Sequence, residues 1–76
     1  MRISQAEKEL AVVIGKNIRH AIIDANTTAS QVCKVLGYTS NKFSFWSQGH
    51  RCPPLSELKR IAELLDTSVS YLIGEL

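Results

Sequence analysis

The sequence lacks most features that would announce chemistry. It holds only two cysteines, Cys33 and Cys52, and two histidines. They assemble neither a zinc site nor the disulfide framework of a small secreted domain. Free thiols in a reducing cytoplasm are the expectation. No apolar run approaches the ~20 residues that span a membrane, and the N-terminus has no signal-peptide pattern. No paired carboxylates share a face beside a plausible pocket. No Ser or Cys has a matching His at interpretable spacing, and no phosphate loop is present. There is no internal repeat, no low-complexity tract and no strand candidate of useful length. These absences argue against an enzyme and against any cofactor or metal.

At 76 residues the chain is expected to form one small domain, residues 1–76. A chain this short buries only roughly 60% of its unfolded surface, so its margin of stability is thin. An initiating Met1 and a last helix that finishes cleanly predict a whole small protein rather than a piece of a longer one. The apolar share, 45%, is ordinary for a folded chain. Net charge is +2, with a pI near 8.7. That balance permits a nucleic-acid partner without demanding one.

Five helices are expected, an all-α fold. Ser4 and Glu7 have the spacing of a capping box. A long amphipathic helix follows, to Ala25. Leu10, Ile14, Ile18, Ile22 and Ala25 form its expected buried seam, widened by Val13 and Ala21. Lys8, Lys16, Asn17, Arg19 and His20 fall mostly off it. Gly15 inside a helix costs about 1 kcal/mol against Ala, which a close helix crossing would justify. Past the second and third helices, Pro53 and Pro54 forbid helix until Leu55. Leu55, Leu58, Ile61, Ala62 and Leu65 mark a fourth helix over 55–65. Ser68 caps a short fifth, carrying Val69, Leu72, Ile73 and Leu76.

The stretch over residues 28–48 is the one these elements serve. Thr28 is a candidate N-cap. Val32, Cys33, Val35 and Leu36 fit one buried stripe. Gly37 suits a helix C-terminus, and Thr39 or Ser40 can cap the next helix. There Phe43 and Trp46 point into the core. Ser40, Asn41, Ser44, Phe45 and Gln48 share the opposite face. A short helix, a tight turn and a second helix with a small polar outer face is the helix-turn-helix arrangement, whose second helix can enter a DNA major groove.

The ordered set goes further. It runs Ile14-Gly15 with Ile18, Val32-Cys33 with Leu36-Gly37, then Phe43, Trp46 and Gly49. Pro53, Ile61-Ala62 with Leu65, and Tyr71-Leu72 complete it. The set resembles the lambda-repressor-like, Cro/CI-type helix-turn-helix family over about residues 14–74. The resemblance implies a compact five-helix domain that binds operator DNA as a homodimer in a prokaryotic or phage-infected cell. It places Ser40, Asn41, Ser44 and Phe45 at base edges, and Thr28, Lys42, Gln48, His50 and Arg51 near phosphates. Asn41 suits a bidentate pair with adenine, and Phe45 a thymine methyl. Lys42 and Arg51 suit phosphates. Ile73 and Leu76 are the expected dimer residues.

The chain also departs from the family. The Gln often found at the start of helix 2 is Ala29, and the apolar residue before that helix is Thr27. The Arg of helix 1 that pairs with a Glu late in helix 3 is replaced by Ile22, and its partner by Ser47. Losing both together is physically sensible, because breaking one side of a buried pair costs about 3–5 kcal/mol. A Gly after helix 4 is Asp66. Ala29, the modest charge and the outward Phe45 support an alternative. In it, the same fold is a protein-interaction module such as an antitoxin, antirepressor or co-regulator, with Phe45 as its anchor.

Overall fold

The computed structural model describes residues 4–75, all-helical and built on one core. The helices are α1 (Gln5–Asp24), α2 (Ala29–Leu36), α3 (Ser40–Ser47), α4 (Leu55–Leu64) and α5 (Val69–Leu72). Local chemistry starts four of them. The hydroxyls of Ser4, Thr28 and Thr39 accept from the backbone N–H of Glu7, Gln31 and Lys42, each at 3.1 Å. Ser68 accepts from Tyr71 at 3.0 Å. Each bond satisfies an N–H left orphaned by the first turn. α4 begins instead after Pro54, with φ at −60° and no side-chain cap.

All five helices stop in the same way. Asn26, Gly37, Gly49, Asp66 and Gly74 carry positive φ, and each follows a helix end. The next N–H then reaches back five residues, as in Tyr38 to the Cys33 carbonyl (2.9 Å) and Thr67 to the Ala62 carbonyl (2.9 Å). Gly37, at φ 78°, does this without strain. Asp66 adopts φ 55° despite its side chain. Asp tolerates the left-handed region better than most residues, so the turn forms without a glycine.

The core gathers Ile14, Ile18, Ala21, Ile22, Val32, Phe43, Trp46, Leu58, Ile61, Ala62, Leu65 and Leu72. α1 packs on α3 and α5, while α4 joins α2 to α5. Gly15 is where α1 and α3 meet. A Cβ there would lie 2.7 Å from the Gly49 nitrogen and 2.9 Å from the Trp46 carbonyl oxygen. The close crossing expected of Gly15 is therefore real.

That crossing also corrects the expected seam of α1. The buried stripe runs through Ala11, Ile14, Gly15, Ile18, Ala21 and Ile22. Leu10 and Val13 are 40% and 38% exposed, and Ala25 is exposed as the C-cap residue. The contact at Gly15 turns the helix so that the stripe lies one residue round from Leu10. Val35 (54% exposed) and Leu55 (66%) also stand outside the core. α2 contacts only α3 and α4 closely, which buries one side of one turn at Val32. Leu55 is the first residue of α4, short of the turn where Leu58 meets the core. Cys33, expected in the core, is partly buried against it.

Two polar ties fix the ends of neighbouring helices. The Asn17 amide donates to the carbonyls of Tyr71 (2.9 Å) and Leu72 (3.3 Å), holding α5 to α1. The Arg19 guanidinium donates to the Ser47 carbonyl at the end of α3. A cation is favoured at a helix C-terminus, where carbonyls lack partners. Ile22 and Ser47 are both buried. Arg19, one turn before Ile22 on α1, thus supplies the charged tie between α1 and the end of α3.

Candidate functional site

α3 divides cleanly into two faces. Phe43 and Trp46 are buried, at 1% and 6% exposure. Tyr38, from the turn before α3, lies flat on Phe43 (centroids 6.1 Å apart, 11° between planes) and edge-on to Trp46 (5.1 Å, 85°). Such aromatic contacts add to the burial itself. They pin the inner side of the helix, so its outer side has a fixed orientation.

The outer side carries Ser40, Asn41, Ser44, Phe45 and Gln48, all exposed. Phe45 is 54% exposed. The loop after α3 folds back onto this side. The N–H groups of His50 and Arg51 both donate to the Phe45 carbonyl, at 2.9 and 3.0 Å. The His50 ring then meets the Phe45 ring edge-on, with centroids 6.3 Å apart at 76°. Asn41, Ser44, Phe45, Gln48 and His50 line one open depression. Among the described residues it contains no carboxylate, lysine or arginine. His50, expected near phosphates, also lines the depression beside Phe45.

The remaining expected site residues are more dispersed. Ser40 is exposed on the first turn of α3. The Thr28 hydroxyl is occupied in capping α2. The Lys42 ammonium lies 5.8 Å from the Tyr38 ring centroid and 5.7 Å from that of Trp46. It therefore leans toward the aromatic side of α3, not toward the depression. Arg51 is exposed on the loop. Ile73 is partly buried against the core, and Leu76 lies outside the described residues.

A second cluster sits behind α3, and along the chain only the i,i+3 spacing of Glu57 and Arg60 hints at it. The Tyr38 hydroxyl donates to Glu57 Oε1. Arg60 donates to the same oxygen at 3.1 Å, and to the Leu36 carbonyl at 2.9 Å. Its guanidinium lies 5.5 Å from the Tyr38 ring centroid. Burial, aided by the Glu57 bond, pushes the Tyr38 hydroxyl up to about 12. The Tyr38 bond, then Arg60, draws the Glu57 carboxyl below its ordinary range. This cluster ties the α2–α3 turn to α4 and so steadies α3 from its start, as Arg19 does at its end.

Other chemistry has no comparable arrangement. Cys33 and Cys52 are free and partly buried, and burial pushes both thiols up, away from the reactive thiolate. Among the described residues no group of His, Cys, Asp or Glu is placed to hold a metal ion. No helix among them is long and apolar enough to cross a membrane. No protein-family model matches the chain, and no curated protein or solved structure matches it.

Proposed function

We propose that this chain is a small sequence-specific DNA-binding regulator of the Cro/CI type. It lays α3 in the major groove and acts by occupying its operator. The observation that carries this reading is the outer side of α3: small polar side chains around a half-exposed Phe45, free of carboxylate among the described residues, and held from behind at both ends. With its side chains an α-helix is about 10–12 Å across, which suits a groove roughly 12 Å wide. Asn41 and Gln48 offer amides to base edges, and Arg51 offers a cation to the backbone. The resemblance to lambda-repressor-like domains over about residues 14–74 supports the same reading. A two-fold homodimer through the α5 end, including Ile73, would present two copies of α3 to adjacent turns of DNA.

The test is a mobility-shift titration on the DNA flanking its own gene, repeated at several salt concentrations. Binding that weakens steeply with salt is expected, because phosphate contacts release counterions. Absent or salt-independent binding overturns the reading.

The half-exposed Phe45 favours one competitor, an interaction module that takes another protein on the same face. If Phe45→Ala abolishes capture of a protein partner and leaves duplex affinity untouched, that competitor wins.

A further inference from the structure

The side of α3 that would meet bases has a composition that selects among them. We infer that it reads A·T pairs, with Phe45 and His50 forming an apolar seat for a thymine 5-methyl group. This inference rests on the DNA-binding reading and names the class of site it takes.

Guanine is most often read by an Arg or Lys fork on its O6 and N7. Among the described residues no such side chain lines the depression. Lys42, the cation within α3, leans toward the rings of Tyr38 and Trp46. Arg19 is held on the Ser47 carbonyl. Arg60 is held by Glu57 and the Leu36 carbonyl. Arg51 lies on the loop beyond the helix and outside the depression, where a backbone phosphate is its natural contact. No carboxylate lines it either, which removes the usual acceptor for cytosine N4.

What remains in the depression suits one base pair. Asn41 and Gln48 carry amides, which match the adenine N6 donor and N7 acceptor together. Phe45, with its ring edge closed by His50, supplies an apolar surface between them. In the major groove the thymine methyl is the apolar group that such a surface can cover. Amides for adenine beside an aromatic floor for thymine place both halves of an A·T pair within one patch.

The test has two steps. Sites are first selected from a random duplex pool, then thymine is replaced by uracil at each selected position. Uracil differs only by the missing methyl. Selected sites rich in A·T are expected, with one or two positions where uracil weakens binding about three- to fivefold, the value of one buried methyl. In Phe45→Ala the same replacement is expected to change affinity less than 1.5-fold (roughly, since the methyl has lost its seat). Sites dominated by G·C, or uracil without effect at every thymine, overturn the inference while leaving DNA binding intact. Failure to bind any duplex at low salt overturns the inference and the reading beneath it together.

Discussion

A Cβ on Gly15 would come within 2.7 Å of the backbone nitrogen of Gly49. No side-chain rotation relieves this contact, because the atoms opposite are main chain. Gly15→Ala therefore sets two effects against each other. The helix gains about 1 kcal/mol of propensity. Forcing α1 and the end of α3 apart costs about 1–3 kcal/mol, and the net change is expected to destabilise. Thermal unfolding should show a lower Tm, by roughly 4–8 °C for each kcal/mol lost in a domain of this size. A variant as stable as the parent would show that the crossing has slack.

Phe43 and Phe45 are two residues apart and should respond in opposite ways. Phe43 is 1% exposed and Phe45 is 54% exposed. Phe43→Ala is expected to cost about 3–5 kcal/mol, through lost transfer energy and the cavity left behind. For a chain with so thin a margin, that approaches complete unfolding. Phe45→Ala should stay within about 0.5 kcal/mol of the parent. Urea denaturation of both checks the assignment of the two faces of α3. Equal losses would mean that Phe45 is packed within the monomer.

These contrasts mark what could be read along the chain and what could not. Caps at Ser4, Thr28, Thr39 and Ser68 were legible because each acts within three residues of itself. The two faces of α3 were legible because Phe43 and Trp46 sit against a run of small polar residues. Leu55 was misplaced because it opens α4 short of the core, and Leu10, Val13 and Val35 for one shared reason. Helical spacing shows that an apolar stripe exists, but not which flank a neighbouring helix covers. At α1 that choice is made by the Gly15 crossing, a fact about two distant segments. Tyr38, Glu57 and Arg60 were missed for a similar reason. Glu57 and Arg60 stand three apart on α4 and pair locally, but the bonds to Tyr38 and to the Leu36 carbonyl span 19 and 24 residues, and nothing local signals those.

That cluster predicts a pH dependence. The Tyr38 hydroxyl keeps its proton up to about 12 in the folded chain, against 10.0 ordinarily. Its contribution to stability is therefore full below pH 10 and lost as pH rises toward 12. Glu57 is shifted the other way, below its ordinary 4.5. Its contribution is present above that pH and lost as pH falls through the lower folded value. Tyr38→Phe removes the shared hydrogen bond. The stability gap between parent and variant should be widest between about pH 5 and pH 10 and narrow at both ends. Chemical denaturation across pH measures this gap. A gap that stays constant would mean that the hydroxyl acts only through packing.

On the DNA-binding reading, Asn41 and Arg51 should fail in different ways. Asn41 lines the depression on α3, whereas Arg51 lies on the loop outside it. Asn41→Ala removes a base-edge contact and should cost about 1–3 kcal/mol on the preferred site. Its affinity for unrelated duplex should hardly change, so the ratio between the two falls. Arg51→Ala removes a phosphate contact. It should weaken binding to preferred and unrelated duplex about equally, and lower the slope of log affinity against log salt by about 1. Binding isotherms on both duplexes at several salt concentrations separate the two patterns. If Arg51→Ala relaxes sequence preference and leaves the salt slope unchanged, the loop reads bases and its assignment to the backbone is wrong.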